Sequence, residues 1–189
     1  TGEDASGIHP KEIAVEAGYA YEVIKNFSVS ATFKYLFSNM GRIGNSRGAS
    51  SVAFDLGVLY KCGINDWEGA GWSVGLHVSN LGPKINYLTS KDALPATVKV
   101  GGAAVLPFLQ MHKLTLTADL GYRLSPADVQ ALSVSAGAEY AWRELVMLRG
   151  GYHCGDKKKG DASYATAGAG VEYAGVRLDV AWLFAGHEY

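Results

Sequence analysis

Apolar and polar residues alternate one by one along most of the chain. In the last such run Val176, Leu178, Val180, Trp182 and Phe184 share one side, against Arg177, Asp179 and Ala181 on the other. A period of two is the mark of a β-strand wetted on one face, and a helix would scatter those groups around its circumference. The same alternation predicts strands over 13–23, 27–37, 51–61, 97–106, 113–124, 132–142, 145–154, 164–174 and 176–184. One more runs over 72–88, with Gly82 and Pro83 read as a kink inside a single long strand, because Pro withdraws a ladder donor and Gly permits a bulge. That makes about ten strands, many near the 9–11 residues that cross a bilayer at a tilt.

The connections fall into two kinds. Around 24–26, 108–112, 143–144 and 175 there is room only for tight reversals, 62–71 is a longer connection, and 41–48, 89–95, 125–130 and 155–163 are hydrophilic loops. If 72–88 runs in one direction, all later long loops lie at one end of the sheet and all later tight turns at the other. Outer-membrane barrels have that asymmetry, with short periplasmic turns and longer external loops. Aromatic residues gather toward strand ends, among them Tyr21, Phe27, Tyr35, Tyr60, Trp72, Tyr122, Tyr140, Trp142, Tyr152 and Trp182, as two interfacial girdles would require. The pattern therefore predicts an all-β fold, an antiparallel transmembrane β-barrel, with residues 1–189 forming a single barrel domain.

Composition narrows the chemistry. Charged residues make up 19% of the chain, below the roughly one quarter usual in soluble domains, so a large share of its surface is expected to meet something other than water. A net charge of -1 gives no reason to expect a nucleic-acid partner. Residues 1–10 are polar and contain no leader-like apolar segment, so a signal peptide is expected upstream of them. Cys62 and Cys154 fall at opposite ends of predicted strands, beyond disulfide reach across an apolar band of about 25 Å. The five histidines have no metal-ligand spacing, and no nucleophile motif or phosphate loop is present. Neither an enzyme nor a cofactor or metal site is expected.

What remains is a polar face carrying Glu16, Lys34, Asp55, His77, Lys99, Asp119, Glu139, Glu172 and Asp179, which the barrel reading turns toward a lumen. The long loops supply Arg42, Arg47, Asp92, Lys157, Lys158 and Lys159 as candidate contacts for an acidic surface or a partner protein. A kink at Gly82-Pro83 could also open a lateral gap in the wall for a hydrophobic molecule.

The runs FSVSATFKYLFSNM, VAFDLGVLYK, VSNLGPKINY and LPATVKVGGA, followed by the GAEY, LRGGY, KKKG, GAGVEY and LDVAWL series, resemble the C-terminal half of the PorV/PorQ family, and PorV in particular. The resemblance implies a FadL-like barrel of about fourteen strands in the outer membrane of a Bacteroidota-type Gram-negative bacterium. It implies that strands precede this stretch and that one follows it, so the chain is expected to be the C-terminal portion of a longer barrel. The segment after Asp119 is shorter than the corresponding PorV insertion. The implied partners are outer-membrane lipid, the type IX translocon, attachment-complex proteins and the C-terminal signal domains of secreted cargo. The expected function is translocon and cargo binding in type IX secretion. The alternative is FadL-like transport of hydrophobic small molecules through the lumen. A weaker rival, a soluble lipid-binding barrel of lipocalin type, would turn its apolar face inward.

Overall fold

The computed structural model describes residues 11–39, 49–86 and 91–185. Its strands are β1 (Lys11–Ile24), β2 (Phe27–Asn39), β3 (Ala49–Gly63), β4 (Gly71–Leu81), β5 (Ile85–Asn86), β6 (Lys91–Asp92), β7 (Thr97–Phe108), β8 (His112–Arg123), β9 (Leu132–Trp142), β10 (Val146–Cys154), β11 (Tyr164–Tyr173) and β12 (Val176–Ala185). Ten of them form one antiparallel sheet in chain order, β1-β2-β3-β4-β7-β8-β9-β10-β11-β12, and β5 pairs only with β6. Among the described residues β1 and β12 flank the sheet, each paired on one side.

The register keeps every apolar stripe on one face. Phe33 lies opposite Phe54, Val58 opposite Leu76, Leu76 opposite Val100, and Val100 opposite Leu120. The row continues through Leu120 and Val134, and farther on Val171 faces Leu178. A one-residue slip at any ladder would turn a whole strand's apolar set over, so the matching stripes fix the register.

Exposure is inverted relative to a water-soluble sheet. Leu132, Leu148 and Tyr152 are 56%, 54% and 55% exposed, whereas Asp55 on the opposite face is 7% exposed. Covering the polar side and baring the apolar one is unfavourable in water and favourable against acyl chains. The lipocalin-type arrangement, with the apolar face inward, is the reverse of this.

Aromatic side chains bracket the apolar face. At the tight-turn end Tyr60 packs on Trp72 with centroids 5.6 Å apart. There too Phe108 stacks on His112 at 5.4 Å. His112 Nδ1 also lies 2.5 Å from the Tyr140 hydroxyl. Tyr35, Tyr122, Tyr152 and Phe184 sit toward the other end of their strands. Small and aliphatic residues such as Val58, Gly102, Ala118, Ala136 and Ala167 occupy the middle, as a band between two interfaces requires.

The two ends of the sheet differ as the loop lengths predict. Among the described residues one carries the reversals 25–26, 64–70, 109–111, 143–145 and 174–175; the other carries 82–86, 91–96, 124–131 and 155–163. Leu109-Gln110 and Arg143-Glu144 hold positive φ at both residues, and around Arg143-Glu144 the N–H of Leu145 donates to Trp142 O at 2.9 Å, closing a hairpin turn. Neighbouring reversals are laced together: the N–H of Arg143 donates to Met111 O at 2.7 Å and that of Glu172 to Leu145 O at 2.8 Å. Lys113 Nζ donates to Glu144 Oε1 at 2.8 Å. This bond, followed by the ammonium charge, holds the Glu144 carboxyl below the ordinary carboxylate range. Lys113→Met is expected to return the Glu144 titration upward, which an NMR pH titration reads. With the folded pKa depressed, the pair's contribution is present above the unfolded pKa and is lost as pH falls through the folded one.

One sequence expectation needs correction. Gly82 and Pro83 are not a kink within a continuous strand. β4 ends at Leu81, Gly82 and Pro83 follow it, and β5 belongs to a separate two-stranded sheet. The register break lies earlier: Phe54 pairs with Leu81 and Leu56 with Val78, so Ser79 and Asn80 together oppose Asp55. The direction of the chain through this stretch is unaffected, because β4 pairs directly with β7, and 82–86 and 91–96 sit at the long-loop end.

Candidate functional site: the polar face and the long-loop end

The nine polar residues named from the sequence, Glu16, Lys34, Asp55, His77, Lys99, Asp119, Glu139, Glu172 and Asp179, occupy the face opposite the apolar stripes. Strand parity sets this: each lies an odd number of positions from its strand's outward residues. They do not form one cluster. Two ionic groups separate along the sheet, with an open hollow between them.

The first group lies where β2, β3 and β4 meet. Lys34 Nζ is 2.7 Å from Asp55 Oδ2 and 3.9 Å from Glu16 Oε1. The Lys34 and Asp55 side chains are only 16% and 9% exposed, so each depends on the other for compensation. Asp55 Oδ1 also accepts the N–H of Asn80 at 2.8 Å.

The second group centres on Arg149 of β10. Its Nε donates to Glu139 on β9 and its Nη1 to Asp179 on β12. Asp179 accepts a further bond from Arg177 Nε at 2.8 Å, and Arg177 Nη1 lies 3.8 Å from Glu172. The Arg149–Asp179 pair reaches across β11, whose residues at that level are Gly168 and Gly170. A Cβ on Gly170 would press into the Asp179 carboxylate, so the absence of a side chain there lets two strands exchange charge over a third.

Between these groups, an open hollow of ≈ 570 Å³ is bordered by Leu59, Gly75, His77, Lys99, Gly101 and Asp119. A second hollow of ≈ 370 Å³ lies over Thr117, Ser135, Gly137, Arg149, Gly151 and His153. Ser135 Oγ is 3.0 Å from His153 Nδ1, and His153 Nε2 is 3.0 Å from Asp161 Oδ1, which ties the loop after β10 to the sheet. Among the described residues no group of three or more His, Cys, Asp or Glu could hold a metal ion.

The loop residues named from the sequence have separate fates. Arg42 and Arg47 lie outside the described residues. Asp92 is in β6, opposite Ile85. Lys157, Lys158 and Lys159 form one 3-10 turn, exposed, with Asp156 accepting the Lys158 N–H at 3.0 Å.

Sequence reading missed Asn80, Arg149 and the His153–Asp161 pair. Arg149 was detectable in principle: it is a lone cation inside an apolar strand, on the parity of Glu139 and Asp179. Asn80 gave no such signal, because its role depends on the register of β4 against β3.

A ten-stranded meander with its apolar face bared, aromatic residues at both margins and a polar face closed by ion pairs defines a membrane-embedded β-sheet of the outer-membrane barrel class. Residues 1–130 match the family model described as Type IX secretion system protein PorV, and the chain belongs to that family. It is thus a component of the type IX secretion system, with an outer-membrane location. The strands β9 to β12 lie beyond the matched residues and continue the same sheet. No curated protein sequence matches the chain.

Proposed function

We propose that the chain binds the type IX translocon and secreted cargo through the loops and rim at its long-loop end, acting as a shuttle or attachment subunit rather than as an enzyme. The observation that carries this reading is the difference between the two ends. Among the described residues one end carries the reversals 25–26, 109–111, 143–145 and 174–175 and the longer 64–70, whereas 82–86, 91–96, 124–131 and 155–163 gather at the other and offer surface to a partner. The polar face would line the lumen of a barrel in a Bacteroidota-type outer membrane, and the Lys34 and Arg149 ion-pair groups would hold its strands in register. Family membership supports partners within the secretion system.

The test is co-purification from the native outer membrane. Replacing 124–131 and 155–163 with short turns is expected to abolish recovery of a cargo C-terminal signal domain while the protein keeps its folded, heat-modifiable gel mobility. Undiminished recovery with both loops shortened would count against the reading.

A second reading, transport of a hydrophobic molecule, draws on the ≈ 570 Å³ hollow, whose floor is Gly57, Gly75 and Gly101 with Leu59 and Ala103 beside them. Native mass spectrometry of the protein released from its membrane would favour it by finding a retained lipid together with normal cargo recovery after loop shortening.

A further inference from the structure

The connection from β4 to β7 folds onto the sheet, and its fastening converges on one residue. Asn80 holds a left-handed backbone, φ 57, at the register break opposite Asp55. Its N–H donates to Asp55 Oδ1 at 2.8 Å, its Oδ1 accepts from Lys34 Nζ at 3.4 Å, and its Nδ2 donates to Pro95 O at 3.2 Å. One side chain and its own amide therefore join β2, β3, the end of β4 and the arm that returns to β7.

The arm is pressed down as well as tied. Gly82 lies so flat on β3 that a Cβ there would sit 2.8 Å from Leu94 Cδ1 and 3.3 Å from Ala53 Cα. Leu94 is 6% exposed and Ala53 fully covered. Ser51 Oγ donates to Pro83 O at 3.3 Å. The contacts then pass to the next loops. Ala96 O accepts the N–H groups of Leu124 and Ser125, at 2.8 and 3.3 Å. At the end of β8, Arg123 Nη1 donates to Lys159 O at 3.2 Å. Three of the long connections, in their described residues, thus form one line of contacts that starts at the Asp55–Lys34 pair.

We infer that Asp55, Lys34 and Asn80 are positioning residues that seat the 82–86 and 91–96 arms on the sheet and so pre-organise the long-loop rim as a single docking surface for the secreted cargo. The inference rests on the docking role proposed above. Its physical basis is that loops ordered before binding spare the complex the entropy of ordering them afterwards. Asp55 suits the task because it is nearly buried and uses both oxygens, one on a cation and one on a main-chain amide.

The experiment reads the seat and the docking separately. A thiol is introduced as Leu94→Cys in the full protein, with Cys62→Ala and Cys154→Ala removing the native thiols, and its reaction rate with a membrane-impermeant maleimide is measured. Asp55→Ala is expected to raise that rate at least about tenfold, since the Asn80 N–H loses its acceptor and Lys34 loses the carboxylate that holds it beside Asn80 Oδ1, with Asp55→Asn falling between because its amide oxygen still accepts the Asn80 N–H. Cargo recovery from the same membranes is expected to fall in the same order. An unchanged labelling rate overturns the seat. Faster labelling with undiminished cargo recovery overturns the docking role of this rim and leaves the seat standing. Should Asp55→Ala not reach the folded gel band, Asp55→Asn against the parent is judged by the same two criteria.

Discussion

Leu116→Arg is expected to destabilise the protein in a bilayer by about 2–4 kcal/mol, while Thr117→Arg, one residue along, costs about 0.5 kcal/mol or less. Both positions lie near the middle of β8. Leu116 faces Ala104 and Ala138 on the apolar side, whereas Thr117 faces Ala103 and Gly137 on the polar side. Depth, strand and substituent are matched, so the difference isolates which face meets lipid. Urea unfolding from phospholipid vesicles measures it. A protein that kept its apolar face away from lipid would reverse the order, and equal costs would remove the basis for the membrane assignment.

Arg149→Ala is expected to cost about 1–3 kcal/mol, between the values for fully buried and fully exposed pairs, because the side chains of Arg149, Glu139 and Asp179 are 29%, 30% and 41% exposed. Most of the loss comes from leaving two carboxylates without their shared cation. Arg149→Glu goes further by gathering three carboxylates over Gly168 and Gly170. Adding Asp179→Ala to Arg149→Ala is therefore expected to recover part of the stability, a non-additivity that a double-mutant cycle reads. Strict additivity of the two substitutions would show that the contact across β11 contributes nothing to holding β12.

The strands were legible because a two-residue period is a local property. Val176 to Phe184 declares its face without reference to any other strand, and the register then follows from matching stripes. The alternation of short and long connections was equally open to inspection, since turn length is written directly in the chain. What stayed hidden depends on two strands at once. Gly82 and Pro83 drew the eye as breakers, but the irregularity sits at Ser79 and Asn80, where a carboxylate from β3 captures an amide of β4. Composition alone could not choose between those places. The same holds for Arg149, whose partners come from the adjacent β9 on one side and, across β11, from β12 on the other. The small hairpin of β5 and β6 escaped for a different reason: at two residues per strand it is too short to show a period.

Because each strand of the main sheet pairs only with those beside it in that sheet's chain order, no segment among the described residues threads through another. Any hairpin can in principle be duplicated or excised as a unit, with the flanking ladders meeting again on the correct faces. The circumference of the wall is thereby an adjustable quantity, altered two strands at a time without redesigning what lies on either side.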